Sequence, residues 1–170
     1  RIVIRKGSDD GVRAGCPVIF SDRVIGKVAV AHHTTSEVDL ITSPNFRCTG
    51  FLEGDDQNRI VLVTGAPGRG LATGRARVSA IPQDYFYPAV GGAPKVMTTG
   101  LGGVYPAGLI LGHLEGSQRT TQDGNFRESS LAPTRDLFSL QEVTVLVPKY
   151  PTPGETLLED QAQKRLDELR

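Results

Sequence analysis

Few side chains in this sequence could carry chemistry, and they are scattered. His32, His33 and His113 are the three imidazoles, and Cys16 and Cys48 the two thiols. Adjacent residues on a strand point to opposite faces, so His32 and His33 cannot ligate one metal in the usual way. His113 has no Cys, Asp or His at ligand spacing. A serine hydrolase needs its nucleophile on a sharp turn with His and Asp in reach, and neither Gly-x-Ser-x-Gly nor Gly-Asp-Ser-Gly occurs. Asp9-Asp10 and Asp55-Asp56 are too short to make a calcium cage. Gly65-Ala66-Pro67-Gly68-Arg69-Gly70 lacks the Gly-Lys-Ser/Thr ending of a phosphate loop. No catalytic residue, cofactor site or metal ligand is assigned. Cys16 and Cys48 allow one bridge or none, and their apolar surroundings suit free, buried thiols.

The elements that position these residues are short β-rich runs bounded by Gly, Pro, Asn and Asp. Strands are expected at 1–5, 17–20, 24–31, 38–41, 47–52, 60–64, 75–81, 95–98, 109–114, 125–129 and 142–147. Ser8-Asp9-Asp10-Gly11 and Asp123-Gly124-Asn125 have turn chemistry. The polar segment 54–59 reads as a hairpin tip. Helical periodicity appears only after the proline-rich 148–154, where Thr156 and Glu159 form a capping box and Leu158, Ala162, Leu166 and Leu169 make an apolar stripe.

The fold class is therefore all-β, antiparallel barrels or sandwiches in two compact units, with a short C-terminal helix. The expected domains are a first barrel over 1–81, an interdomain loop over 82–94, a second barrel over 95–148 and an amphipathic tail over 149–170. A late strand near 142–147 could instead return to the first barrel. Tyr85, Phe86 and Tyr87 lie in the expected interdomain loop, where they either cap a barrel end or form a contact patch.

Composition excludes several functions. The 170 residues include 19 basic and 19 acidic ones, so no net field draws a nucleic acid or an anionic membrane. There is no Trp to stack on a sugar. No run of about 18 apolar residues and no signal-peptide layout occurs. The chain opens inside an expected strand without an initiator Met, and is read as part of a longer protein, so that any anchor would lie upstream.

Two glycine-punctuated blocks remain. The first holds Lys6, Gly7, Gly11 and Val12, then Pro17 and Val18, then Gly26 and Val28. The second holds Thr99, Gly100, Leu101, Gly102, Gly103, Val104, Tyr105, Pro106, Gly108 and Gly112. In order and spacing these resemble the rod shape-determining MreC family, from about Arg1 to Val147. Asp22-Arg23, Thr99 and Tyr105 depart from the usual Gly, Ser and Phe.

The resemblance implies two small six-stranded antiparallel β-barrels side by side, preceded by a coiled coil and a membrane span. It also implies a non-catalytic scaffold on the outer, periplasmic face of the cytoplasmic membrane that organises the elongation machinery for peptidoglycan. The implied partners are the elongation-specific penicillin-binding transpeptidase, MreD, the MreB assembly and further copies of itself. Apolar grooves and open strand edges would supply the binding, with Tyr85, Phe86, Tyr87, Val104 and Tyr105 as candidate contacts. The alternatives are a two-barrel hydrolase and a peptidoglycan-binding β module.

Overall fold

A computed structural model describes residues 1–66, 74–86, 92–122, 124–133 and 140–148. The expected C-terminal helix and Tyr87 lie outside the described residues.

The chain forms β1 (Ile2–Ile4), a 3-10 turn (Ser8–Asp10), β2 (Pro17–Phe20), β3 (Arg23–Ala31), β4 (Ser36–Leu40), β5 (Arg47–Leu52) and β6 (Ile60–Ala66). It continues with β7 (Arg75–Pro82), β8 (Lys95–Thr98), β9 (Ile110–Thr120), β10 (Phe126–Ala132) and β11 (Thr144–Val145). Alternation explains the strands. In β6, Val61 and Val63 are fully buried while Ile60 and Leu62 face outward; in the antiparallel partner β7, Ala76 and Val78 are buried and Arg75 and Arg77 exposed. Val63 and Val78 lie directly opposite each other and pack in the interior.

Strands β5, β6, β7, β10, β9 and β8 pair in that order, and β8 pairs back to β5, closing a six-stranded antiparallel barrel. Ala80 takes a left-handed φ of 62° next to an irregularity in the β7–β10 register. Such a bulge adds the local bend that closure requires. The remaining strands run β1, β4, β3, β2, β11, each antiparallel to the next.

The loop expected between two domains, 82–94, joins β7 to β8, two strands of the same barrel. The expected strand over 142–147 is shortened to Thr144–Val145 and pairs with β2. A Pro- and Gly-rich stretch marks a reversal of the chain, but it carries no record of whether the flanking strands share a ring. The barrel and the five-stranded sheet meet where β3 runs parallel to β9 at Arg23 and Ile110, with the Ile110 amide donating to the Asp22 carbonyl at 2.8 Å. Their buried side chains form one continuous cluster, from Ile4, Val18 and Val38 to Val61, Leu111 and Leu131.

Candidate functional site

The second glycine block is built around the junction of sheet and barrel. It leaves β8 at Thr98 and enters β9 at Ile110. Thr98 fastens the base of the loop: its hydroxyl donates to the Pro106 carbonyl at 2.5 Å and accepts from the Leu109 amide at 3.0 Å. Thr99 pairs with the Thr49 hydroxyl at 3.0 Å and accepts from the Leu101 amide at 3.1 Å, a role that the hydroxyl of Ser or Thr can fill. Gly100, Gly102 and Gly103 all have positive φ, from 70° to 88°, and this left-handed run folds the loop back so that Tyr105 points inward.

Tyr105 is buried and packs edge to face on Phe46, with centroids 6.3 Å apart. Its hydroxyl reaches the Gly26 carbonyl on β3 at 3.5 Å. Gly26 is itself required by contact, because a Cβ there would lie 2.1 Å from the Asp39 carbonyl oxygen on β4. The two sequence blocks thus meet across the junction. Burial pushes the Tyr105 phenol well above its ordinary range, with the nearby Cys48 a smaller cause. Val104 is half-buried against the core, whereas Leu101 at the loop tip is 62% exposed.

In the first block, Lys6 pairs with Asp10 at 2.5 Å, Gly7 lies against the carbonyls of His32 and His33, and Gly11 caps the 3-10 turn at φ 78°. Val12, Val18 and Val28 are core residues, Pro17 is buried at the start of β2, and Gly112 lies against the Ala132 carbonyl. Gly108 is another left-handed position, at φ 84°.

The aromatic loop divides. Tyr85 is 5% exposed and donates from its hydroxyl to the Glu53 carbonyl at 2.8 Å, sealing one end of the barrel. Arg127 on β10 holds the corner by donating to the carbonyls of Pro82 at 2.9 Å and Tyr85 at 2.5 Å. Arg59 adds a clamp, binding Asp55 at 2.8 Å and Asp84 at 2.6 Å. That hydrogen bonding holds the Asp55 carboxyl below the usual carboxylate range. Phe86, next in sequence, is 80% exposed beside this hydrogen-bonded corner. Phe126, 48% exposed and opposite Pro82, was not singled out from the sequence, because one Phe after a turn looks like the start of any strand.

The groups considered for chemistry stay apart. His33 has a 93% exposed side chain 3.6 Å from Asp9, and His32 lies 3.7 Å from Glu37. Among the described residues no group of three or more His, Cys, Asp or Glu could hold a metal. Cys16 and Cys48 are free and buried, and burial raises the Cys48 thiol to about 11.

These features define an all-β structural module whose distinctive residues set turns and close backbone approaches, with apolar side chains left exposed at loop tips and corners. The family model described as rod shape-determining protein MreC, barrel core, matches residues 1–147, and the chain belongs to that family. The cell shape-determining protein MreC of Listeria monocytogenes is 30% identical over 148 residues, covering 86% of this chain and 48% of the relative. The chain thus spans about half the length of that curated relative. A solved structure of MreC from Listeria monocytogenes is 29% identical with a TM-score of 0.73, over 88% of this chain and 69% of that one. A structure of a complex between a penicillin-binding protein and MreC from Helicobacter pylori contains a chain of the same fold. It is 14% identical with a TM-score of 0.55, over 76% of this chain and 74% of that one.

Proposed function

We propose that this protein is a non-catalytic scaffold on the periplasmic side of the cytoplasmic membrane, where it organises peptidoglycan synthesis during elongation by binding the elongation-specific penicillin-binding transpeptidase. The observation that carries this reading is membership of the MreC family across residues 1–147. The complex that the Helicobacter pylori protein forms with a penicillin-binding protein supports the choice of partner. MreD, the MreB assembly and further copies of the chain complete the proposed set of partners, with a membrane anchor supplied by an N-terminal segment that this sequence does not include. In the same reading β5–β10 form one unit, and β1–β4 with β11 form the other, a second barrel.

Contact with the transpeptidase is assigned to apolar side chains that the core does not use, Phe86 and Leu101 first, with Val104 beside the latter. Tyr85 and Tyr105 support these contacts from beneath, and Tyr87, next to Phe86 in sequence, is assigned to the same set of contacts. Exposed aromatic side chains on a rigid corner make good interface anchors because little ordering entropy is lost on binding.

The test is titration of the purified extracytoplasmic region of the transpeptidase into this protein, followed by light scattering and calorimetry. A saturable complex that Phe86→Ala or Leu101→Ala weakens at least tenfold, with the melting temperature unchanged, supports the assignment. Absence of a complex at high micromolar concentration overturns the scaffold reading for this partner.

A further inference from the structure

The regular ladder of the barrel wall breaks at one level of β10. Where β10 advances from Arg127 to Ser129, its neighbour β7 runs from Ile81 to Val78, with a residue to spare. Where β10 advances from Glu128 to Ser130, its other neighbour β9 runs from Arg119 to Glu115, with still more to spare. Both neighbours therefore bulge at the same place. Ala80 on β7 takes φ 62° and Gly116 on β9 takes φ 78°, left-handed values that accommodate the surplus. A bulge interrupts the ladder and re-aims the side chains beside it.

A cleft of about 520 Å³ opens here on the outer wall, with Arg77, Glu115, Arg119, Glu128 and Ser130 around it. That volume lies within the range of small-molecule sites, roughly 300–1,000 Å³. Ser129 is buried beneath it, and its hydroxyl donates to the Glu115 carbonyl at 3.3 Å, which ties β10 to β9 across the break.

The charges of the cleft are not matched with one another. Glu115 is taken by Arg75. Glu128 and Arg119 are direct cross-strand partners, the arrangement in which opposite charges ordinarily pair, yet no ion pair joins the two. Arg77 lies opposite Ser130 rather than an acid. Arg77, Arg119 and Glu128 thus have no ion-pair partner among the described residues. Counting the Arg75–Glu115 pair, three arginines face two glutamates, so one positive charge is in excess. A simple anion in this cleft would meet Glu128, and a simple cation would meet two arginines. A ligand that carries both signs satisfies all three groups.

We infer that the cleft is a binding site for a small zwitterion with two carboxylates and one ammonium group, an acidic amino acid or a dipeptide containing one. Its carboxylates pair with Arg77 and Arg119 through charge-assisted N–H donors, its ammonium pairs with Glu128, and the exposed Ser130 hydroxyl adds a hydrogen bond. Exposed ion pairs are individually weak, so affinity is on the order of millimolar. The inference is independent of the scaffold reading, since neither Phe86 nor Leu101 takes part.

The experiment uses the full chain, labelled for NMR, and the dipeptide Ala-Glu with free ends. Saturable shift changes are expected at millimolar dipeptide, centred on the amides of Arg77, Gly116, Arg119 and Ser130, with none at Phe86 or Leu101. Acetylation of the dipeptide's amino group weakens binding roughly two- to fivefold, the worth of one exposed ion pair. Glu128→Gln reverses that order, because with the acid gone the acetylated dipeptide carries the greater negative charge and binds more tightly. Arg77→Gln and Arg119→Gln each weaken both dipeptides. These arginines are exposed and unpaired, so their variants fold normally, and a purely structural role would not invert a preference between two ligands.

Three results overturn the inference: no shift change at tens of millimolar dipeptide, equal shift changes with acetate or inorganic phosphate at the same ionic strength, or equal binding of the free and acetylated dipeptides to the wild-type chain. The second would leave only a general anion site. If Glu128→Gln fails to fold, the comparison of the two dipeptides on the wild-type chain still decides.

Discussion

Phe46 and Tyr105 pack edge to face with their ring planes at 64°, and this contact links the segment that connects β4 to β5 with the loop that connects β8 to β9. Both rings are nearly or fully buried, with Phe46 at 0% exposure. Truncation of Tyr105 therefore leaves a cavity at the junction of sheet and barrel. Tyr105→Ala is expected to cost about 3–5 kcal/mol, the range for deletion of a buried ring. Tyr105→Phe keeps the ring, loses only a 3.5 Å hydrogen bond, and should cost about 1 kcal/mol or less. Urea unfolding of the two variants measures the difference.

Glycines in the two blocks should separate by mechanism. Gly26→Ala places a Cβ 2.1 Å from a backbone oxygen that neighbouring strands hold in place, so about 3 kcal/mol of destabilisation is expected, the upper end for overpacking. Gly102 has open space around it but a φ of 88°, so Gly102→Ala should cost only about 1–2 kcal/mol of backbone strain. Equal losses in thermal unfolding would contradict the steric account of Gly26.

The Cys48 thiol gives a pH signature on the alkaline side. Its pKa rises from an ordinary value near 9 to about 11, chiefly because burial penalises the thiolate. A raised folded-state value means that the stability is fully present below pH 9 and is lost as pH climbs from 9 through 11. The loss should approach about 3 kcal/mol, at about 1.4 kcal/mol per pKa unit. Cys48→Ser should flatten that part of the profile, and a thiol reagent at pH 8 should leave Cys48 of the folded protein unmodified.

Asp55 gives the opposite signature. Arg59 holds its carboxyl below the ordinary range, mainly through side-chain hydrogen bonds at 2.8 and 3.2 Å. A depressed folded-state value contributes stability that is present above about pH 4 and disappears as pH falls through the folded value. Denaturation midpoints compared between pH 6 and pH 2.5 should show a smaller drop for Asp55→Asn than for the wild type. Arg59→Ala should also loosen the Tyr85 corner, seen as faster amide exchange at residues 84–86.

Phe86 and Tyr85 are adjacent but should behave differently. Phe86→Ala removes an exposed ring and should change stability by no more than about 0.5 kcal/mol. Tyr85→Ala opens the barrel end and frees the Glu53 carbonyl, at a cost of about 3–5 kcal/mol. Differential scanning calorimetry of both variants tests this division.

Much of this protein is written locally. Alternation of inward and outward residues marks β5, β6 and β7, and short apolar runs mark β1 and β2. Pro17–Phe20, Arg47–Leu52 and Lys95–Thr98 have the same bounds in sequence and structure, and elsewhere the ends move by a few residues. β9 runs on to Thr120, past the expected end at 114, because Glu115–Thr120 has no apolar rhythm and becomes strand only by pairing with β10. The glycine blocks were legible because a left-handed φ or a close backbone approach leaves its mark at a single position. The burial of both thiols was legible from their apolar neighbours, whereas their unbridged state depended on where the fold placed the two strands.

What the sequence could not contain was which strands would share a ring. Strand pairing depends on closure over the whole chain, so β7 and β8 fall in one barrel despite the Pro- and Gly-rich loop between them, and β11 returns across about 125 residues to β2. Burial within the aromatic loop was equally a tertiary matter: Tyr85 and Phe86 are chemically alike and consecutive, and only the placement of the Glu53 carbonyl, Arg127 and the barrel end turns one ring inward and leaves the other outside. Local residue choice determined the elements and the family, because turn and strand chemistry acts over a few residues. Long-range closure decided which strands share a ring and which side chains the core covers, because those depend on pairing between distant segments.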